Sequence, residues 1–188
     1  MKFCLKCMAL LVMAIMAAGQ TAVVCADEYY GSYPASDIYM VQSQKHTCTL
    51  IAATMMLRNY SYQLGSPYEQ VTDSAVRRFA WTQQYGLSHN FAIGSVAVEC
   101  STEIQDAYDK KAYLIMCLKL HEEGIVIYDT GAPHAIWLFG YDAQSDTFYC
   151  ADTISSIGGK AIPLEESIIK GETQADKINT IDKIWYVV

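Results

Sequence analysis

Cys48 is the residue in this sequence whose position best suits nucleophilic chemistry. It stands where the chain enters residues 48–60, a segment that is apolar on nearly every side and therefore typical of a helix buried inside a protein. Because the amino end of a helix stabilises negative charge, a thiol placed there is favoured as thiolate, the reactive form. The alternative is a small buried residue with no chemical role, which is common for cysteine.

His134 and Asp152 have the types and the spacing needed to support such a thiol. Residues 140–147 separate two strand-like segments, and a hairpin centred near Ala143 predicts that His134 lies directly opposite Asp152. Directly opposed side chains project from the same face, with Cβ atoms about 5 Å apart. The carboxylate would then orient the imidazole, and the imidazole would act as the base. A structural pair at a sheet edge is the alternative, and a register slip of one residue would separate the two side chains.

Gln42 supplies an amide donor near the thiol, because it lies six residues before Cys48 on the incoming loop. Acyl transfer builds negative charge on a carbonyl oxygen. A side-chain amide and the backbone N–H of the nucleophile together stabilise that oxyanion. Gln44 is a second candidate for this role, and a solvated loop residue is the alternative for either glutamine.

These residues, in this order, resemble the papain-like cysteine peptidases, and in particular the bacterial branch related to the peptidases that trim bacteriocin leaders. The resemblance covers roughly residues 40–188. It implies that Gln42 lines an oxyanion hole, Cys48 attacks, His134 is the base and Asp152 orients it. It also implies a peptide or protein substrate and no cofactor or metal. The residues that carry it are Gln42, Cys48 on its buried helix, Pro133-His134-Ala135, Gly140-Tyr141-Asp142 and Tyr149-Cys150-Ala151-Asp152.

Two departures from the family pattern keep other functions open. The family usually has Gly after the cysteine, where this chain has Thr49-Leu50, and Pro after the aspartate, where this chain has Thr153. One alternative is therefore a secreted binding module on the same fold that has lost turnover. Another keeps the chemistry but transfers an acyl group to an amine or cleaves a cell-wall amide. The resemblance is to the peptidase domain alone, so leader trimming during export is not implied.

Helical patterns come first along the chain and strand patterns second. Pro67 suits the first turn of a helix that runs to about Trp81, and the amphipathic residues 102–122 predict another helix, closed by Gly124. This order predicts an α+β domain. The resemblance implies that it is papain-like, with N-terminal helices and a buried central helix packed on a C-terminal antiparallel β-sheet. The β-branched and aromatic segments that predict strands are 124–129, 134–142, 147–153 and 183–188.

Residues 1–26 are predicted to be a signal peptide, because two lysines precede a short apolar run and Ala26 fits the small-residue rule for cleavage. The mature protein is then expected to be secreted or otherwise extracytoplasmic, from a bacterium. No stable membrane span is expected in it, since the apolar run is shorter than the roughly 20 residues a span needs. A lipid anchor at Cys25 is the alternative, and the bulk of Val24 disfavours it.

Cleavage would leave 162 residues, with an exposed lead-in at 27–39 and one domain at 40–188. These residues include 11 basic and 20 acidic side chains, a net charge of -9, which argues against nucleic acid or an anionic membrane as a partner.

Four cysteines would survive cleavage. If Cys48 is a free nucleophile, Cys100, Cys117 and Cys150 can form at most one intramolecular bridge. No pair has the CxxC spacing of a zinc site, and the four histidines do not cluster along the chain. No structural metal is therefore expected.

Overall fold

The computed structural model describes residues 28–188 and contains ten strands and four α-helices within them. The helices are α1 (Cys48–Gln63), α2 (Asp73–Ala80), α3 (Lys110–Leu120) and α4 (Gln174–Thr180). The predicted signal peptide lies outside the described residues. The strands are β1 (Tyr29–Gly31), β2 (Trp81–Thr82), β3 (Gly86–Leu87), β4 (Phe91–Ile93), β5 (Val96–Ser101), β6 (Ile125–Asp129), β7 (His134–Asp142), β8 (Thr147–Asp152), β9 (Ile162–Pro163) and β10 (Lys183–Val187).

Eight of these strands form one largely antiparallel sheet, in the order β4-β5-β10-β6-β7-β8-β9 with β1 paired to β7. Strands β2 and β3 form a separate hairpin. This arrangement confirms the predicted α+β class with an antiparallel sheet. No helix within residues 28–188 has the length and apolar character needed to cross a bilayer.

Both faces of the sheet are covered, and the side chains of β7 alternate between the two cores. Trp137 and Phe139 pack in the same cluster as Leu50 and Met55 of α1. Leu138 packs on the opposite side with residues of α3 and α4. Eleven of the 16 residues of α1 are buried, which accounts for its apolar character on nearly every side.

Two helices begin later than their sequence patterns predicted, because side-chain caps decide where they start. The helix predicted from Pro67 begins at Asp73, where the Thr72 hydroxyl accepts from the Ala75 N–H. The helix predicted over 102–122 spans only α3, whose cap is the Asp109 carboxylate. A capping oxygen satisfies a backbone donor that the first turn leaves without a partner.

The predicted register of the β7–β8 hairpin was wrong. Asp152 lies opposite Ile136, so His134 and Asp152 are diagonal neighbours on the same face and are not directly opposed. The strands extend to Asp142 and Thr147, so the turn is centred further along the chain than Ala143. Asp142 favours this turn because its carboxylate accepts from backbone N–H groups within it.

The hairpin also contains a β-bulge at Phe139, since the register shifts between Leu138 and Gly140. Next to the turn, Asp142 lies opposite Thr147 and Gly140 lies opposite Tyr149. If this register continued along the strands without a bulge, Asp152 would lie opposite Trp137 and would project from the face opposite to His134. The extra residue of the bulge therefore places the carboxylate on the same face as the imidazole.

The lead-in predicted to be exposed is instead attached to the domain. Strand β1 pairs with residues 140–142 of β7, and Ile38 is fully buried in the core with α1. Strand β6 pairs with β7 only as far as Leu138. Beyond Leu138 that edge of β7 has unpaired backbone groups, and β1 pairs with them.

We expect Gly124→Ala to lower the free energy of unfolding by more than the roughly 1–2 kcal/mol that a left-handed backbone costs an L-residue. Gly124 has a φ of +87°, and a Cβ there would lie 2.6 Å from Trp137 Nε1. Gly65→Ala is the matched control, because Gly65 has a φ of +65° with nothing within 4 Å. Urea denaturation measures both variants, and equal losses would contradict the steric argument.

Candidate active site

Cys48 is the first residue of α1 and is 8% exposed. The preceding Thr47 does not cap the helix, because its hydroxyl donates to the Gln44 carbonyl at 2.8 Å. The first backbone N–H groups of a helix, here including that of Cys48, have no intrahelical acceptor. The thiol therefore stands beside uncapped amides at the positive end of a 16-residue helix.

His134 begins β7, and its Nε2 lies 2.9 Å from Oδ1 of Asp152. Asp152 is fully buried. Its Oδ1 also accepts from the Ile154 N–H at 3.1 Å, and its Oδ2 accepts from the Ile168 N–H at 3.0 Å. Burial alone would raise the pKa of Asp152, but the bonds to His134 and to these two amides lower it, so the carboxylate is ionised.

The imidazole of His134 is held in its protonated form. Burial lowers the pKa of His134, but the hydrogen bond to Asp152 and the interaction with the Cys48 thiol outweigh burial and raise it to about 9. With Nε2 engaged by Asp152, Nδ1 is the nitrogen left to exchange a proton with the thiol. A thiol, an imidazole and a carboxylate that orients the imidazole are the groups used in nucleophilic catalysis by cysteine.

The other three cysteines have different surroundings. Cys100, Cys117 and Cys150 carry free thiols, and no disulfide forms among the described cysteines. Burial raises the pKa of Cys100 and Cys117 to about 11, and it also raises the pKa of the fully buried Cys150 well above its ordinary value. Burial thus keeps these three thiols protonated, and no imidazole acts on them to lower the pKa.

Gln42, and not Gln44, lies in the same cavity as Cys48 and His134. The backbone N–H of Gln42 donates to the Thr153 carbonyl at 2.7 Å, which ties its loop to the end of β8. Its Oε1 is buried and has no hydrogen-bond partner among the described residues. Gln44 is exposed to solvent.

Two cavities meet at Cys48 and together form one cleft. We name the first, of about 320 Å³, the His134 pocket; its walls include Gln42, His134 and the apolar Ile154 and Ile168. The second, of about 290 Å³, is the Lys183 pocket; its walls include Tyr128, Lys183 and Trp185. Residues Cys48, His46 and Pro133 belong to both.

Lys177, which no sequence pattern indicated as a site residue, supports the site without touching the catalytic groups. It is 4% exposed, and its Nζ donates to the carbonyls of Ser167 at 2.7 Å and Ile169 at 2.8 Å. These carbonyls flank Ile168, whose N–H holds Asp152. The capping box at Thr173 predicts the start of α4, but no local pattern indicates that a lysine of this helix is buried.

The two threonines that depart from the family pattern have structural partners. The Thr49 hydroxyl accepts from Trp81 Nε1 at 3.3 Å, which joins the start of α1 to the β2–β3 hairpin. The Thr153 hydroxyl donates to the Ala135 carbonyl at 3.5 Å. Both side chains are buried, and neither is interposed in the hydrogen bond between His134 and Asp152.

Comparison of the chain with protein-family models, curated protein sequences and solved structures found no match. Within residues 28–188, no three or more His, Cys, Asp or Glu side chains gather into a group that could hold a metal ion.

We expect Asp152→Asn to lower the pKa of His134 well below about 9, because the charged acceptor is lost while burial remains. The raised pKa of His134 stabilises the fold fully below its ordinary pKa of 6.5, and this stabilisation is lost as the pH rises through about 9. The lowered pKa of Asp152 stabilises the fold above its ordinary value of 3.8, and this is lost in more acidic solution.

The stability loss caused by Asp152→Asn should therefore be largest between about pH 4 and 6.5 and should shrink on either side. NMR titration of the imidazole and denaturation at several pH values measure the two effects. Asp106→Asn, at an exposed position, is the control. An unchanged His134 titration would contradict the role given to Asp152.

We expect Lys177→Met to lower the free energy of unfolding by about 1–3 kcal/mol, because it leaves buried carbonyls without donors. It should also lower the pKa of His134, since Ile168 is no longer held against Asp152. Lys170→Met, at an exposed position of the same segment, is the matched control. Loss of stability with no change in the His134 titration would show that Lys177 acts on folding alone.

Proposed function

We propose that this protein is a cysteine hydrolase that cleaves a peptide or amide bond, with Cys48 as nucleophile and His134 as base. The observation that carries the proposal is the hydrogen bond between His134 Nε2 and Asp152 at 2.9 Å, made in a cavity that His134 shares with Cys48. A nucleophile, a base in contact with it and a third group that orients the base form the arrangement used in nucleophilic catalysis.

In the first half of the proposed reaction, the Cys48 thiolate attacks the substrate carbonyl carbon and a C–S bond forms. The carbonyl oxygen becomes an oxyanion, which the Gln42 amide and the Cys48 backbone N–H stabilise. The protonated His134 then gives its proton to the leaving nitrogen. The C–N bond breaks, the amine departs and a thioester remains on Cys48.

In the second half, water attacks the thioester carbonyl while His134 removes a proton from it. The C–S bond breaks, the acid product is released and the proton restores the imidazolium beside the Cys48 thiolate. Asp152 remains ionised throughout and stabilises the positive charge on His134. The uncapped amino end of α1 favours the thiolate at the start and the end of the cycle.

The architecture supports assignment of residues 40–188 to the papain-like cysteine peptidases. The order Gln42, Cys48, His134 and Asp152, a buried helix that begins at the nucleophile and an antiparallel sheet that bears the base all agree with this assignment. The buried hydrogen bonds of Thr49 and Thr153 explain how the chain accommodates threonine at both positions. We further propose that the enzyme is exported by the predicted signal peptide and acts outside the cytoplasm on a peptide or protein.

Two reactions of the same protein separate the roles of the site residues. Alkylation by iodoacetamide needs the Cys48 thiolate but forms no oxyanion. Amide hydrolysis needs the thiolate and also needs donors that stabilise an oxyanion. We expect His134→Ala to slow both reactions. Gln42→Ala should lower hydrolysis about 10²–10³-fold, as loss of one oxyanion donor does elsewhere, and leave alkylation unchanged. Gln44→Ala is the matched control and should change neither rate.

Mass spectrometry measures alkylation of Cys48 between pH 4 and 9, and a pool of proteome-derived peptides serves as the substrate for hydrolysis. Full hydrolysis by Cys48→Ala would disprove the proposal. If the rate of alkylation rises only near the pKa of a free thiol, about 8.5, and His134→Ala does not change it, a binding module without turnover would be favoured. Products joined to an added amine would show acyl transfer instead of hydrolysis.

A further inference from the structure

Lys183 places a positive charge in the wall of the Lys183 pocket, although the chain as a whole is acidic. Lys183 is half-buried in its wall and makes no ion pair with any described residue. No Asp or Glu of the described chain lines this cavity, whereas the whole sequence has 20 acidic residues and a net charge of -7. An unpaired ammonium group in a concave wall attracts an anionic ligand.

The fold positions Lys183 toward the nucleophile. It lies directly opposite Tyr128 in the β10–β6 pair, so both side chains project from the face that α1 covers. The Lys183 Nζ lies 5.8 Å from the centre of the Tyr128 ring. The interaction with Cys48 contributes to the raised pKa of Tyr128, although burial is the larger cause. Tyr128, Lys183 and Cys48 therefore line one cavity.

The carboxylate next to Lys183 in the chain is hydrogen-bonded to another residue. The adjacent Asp182 uses both carboxylate oxygens on Thr130, accepting from its hydroxyl at 2.9 Å and from its backbone N–H at 3.1 Å. The imidazoles of His46 and His89 line the same cavity and offer further N–H donors.

The proposed mechanism determines which part of a substrate occupies this cavity. His134 protonates the leaving amine, so the leaving group must lie on the side of the imidazole, in the His134 pocket. The acyl part then extends from Cys48 to the other side, into the Lys183 pocket. That cavity has a volume of about 290 Å³.

We infer that the enzyme prefers substrates with a carboxylate on the acyl side of the cleaved bond, an aspartate or glutamate side chain bound by Lys183. This inference rests on the proposed hydrolase function, because only that function assigns the acyl part to the Lys183 pocket. The specificity comes from a charge-assisted hydrogen bond, which is stronger than a neutral one.

Matched peptidyl chloromethyl ketones test the inference through covalent labelling of Cys48. Two pairs are used, with glutamate or glutamine at the residue next to the ketone in one pair and at the preceding residue in the other. In at least one pair, the glutamate reagent should label the wild-type protein faster by on the order of tenfold, the effect of one hydrogen bond to a charged group. This preference should weaken as salt is added.

Lys183→Gln should remove the glutamate preference while leaving the rate of labelling by iodoacetamide unchanged, and Lys183→Arg should retain it in part. Lys111→Gln is the control, because Lys111 is paired with Asp146 on another surface. Equal rates within both pairs, or a preference that survives Lys183→Gln, would overturn the inference. If every reagent labels Cys48 slowly and His134→Ala does not change the rates, the hydrolase function on which the inference rests would be overturned instead.

Discussion

The buried charge of Asp152 is the constraint on which the arrangement of the site depends. An ionised carboxylate with no exposure to solvent is stable only if hydrogen bonds and an opposite charge replace its hydration. His134 supplies the charge, and the amides of Ile154 and Ile168 supply further donors. Lys177 then holds the segment that carries Ile168. Each of these contacts also restricts the position of the imidazole, so stability and the orientation of the base are coupled.

The bulge at Phe139 links this buried charge to the geometry of the sheet. Because side chains alternate along a strand, one inserted residue decides from which face every later residue projects. Trp137 and Phe139 remain in the core with α1, and Asp152 comes to the same face as His134. A single irregularity in one hairpin therefore serves both the packing of α1 and the pairing of the base with its carboxylate.

At the start of α1, stability is given up in favour of the chemistry of the site. The helix is buried along most of its length and gains stability from packing, yet its first turn lacks a side-chain cap because Thr47 bonds to Gln44. A cap would contribute about 1 kcal/mol. Its absence leaves amides beside Cys48 free to stabilise negative charge, first on sulfur and then on a carbonyl oxygen. Local departures from optimal structure of this kind are typical of functional sites.

Much of the fold could be predicted from the sequence, because α1 and the later strands carry strong local patterns. The apolar run from Cys48 indicates a buried helix, and the alternating aromatic and β-branched residues of β7 indicate a strand. The candidate residues Gln42, Cys48, His134 and Asp152 could also be named from their types and order. Helix starts were less predictable, since Thr72 and Asp109 determine them through single capping bonds.

The sequence by itself determined the class of the fold, the candidate nucleophile and its base, because residue chemistry and periodicity are local properties. Only the tertiary structure decided the register of β7 and β8, the attachment of β1 and the burial of Lys177. Each of these depends on contacts between segments distant along the chain, and a shift of one residue between strands exchanges the buried and exposed faces without changing any local pattern. The same reason explains why Lys183 and Cys48 line one cavity only in the folded chain, where β10, β6 and the start of α1 come together.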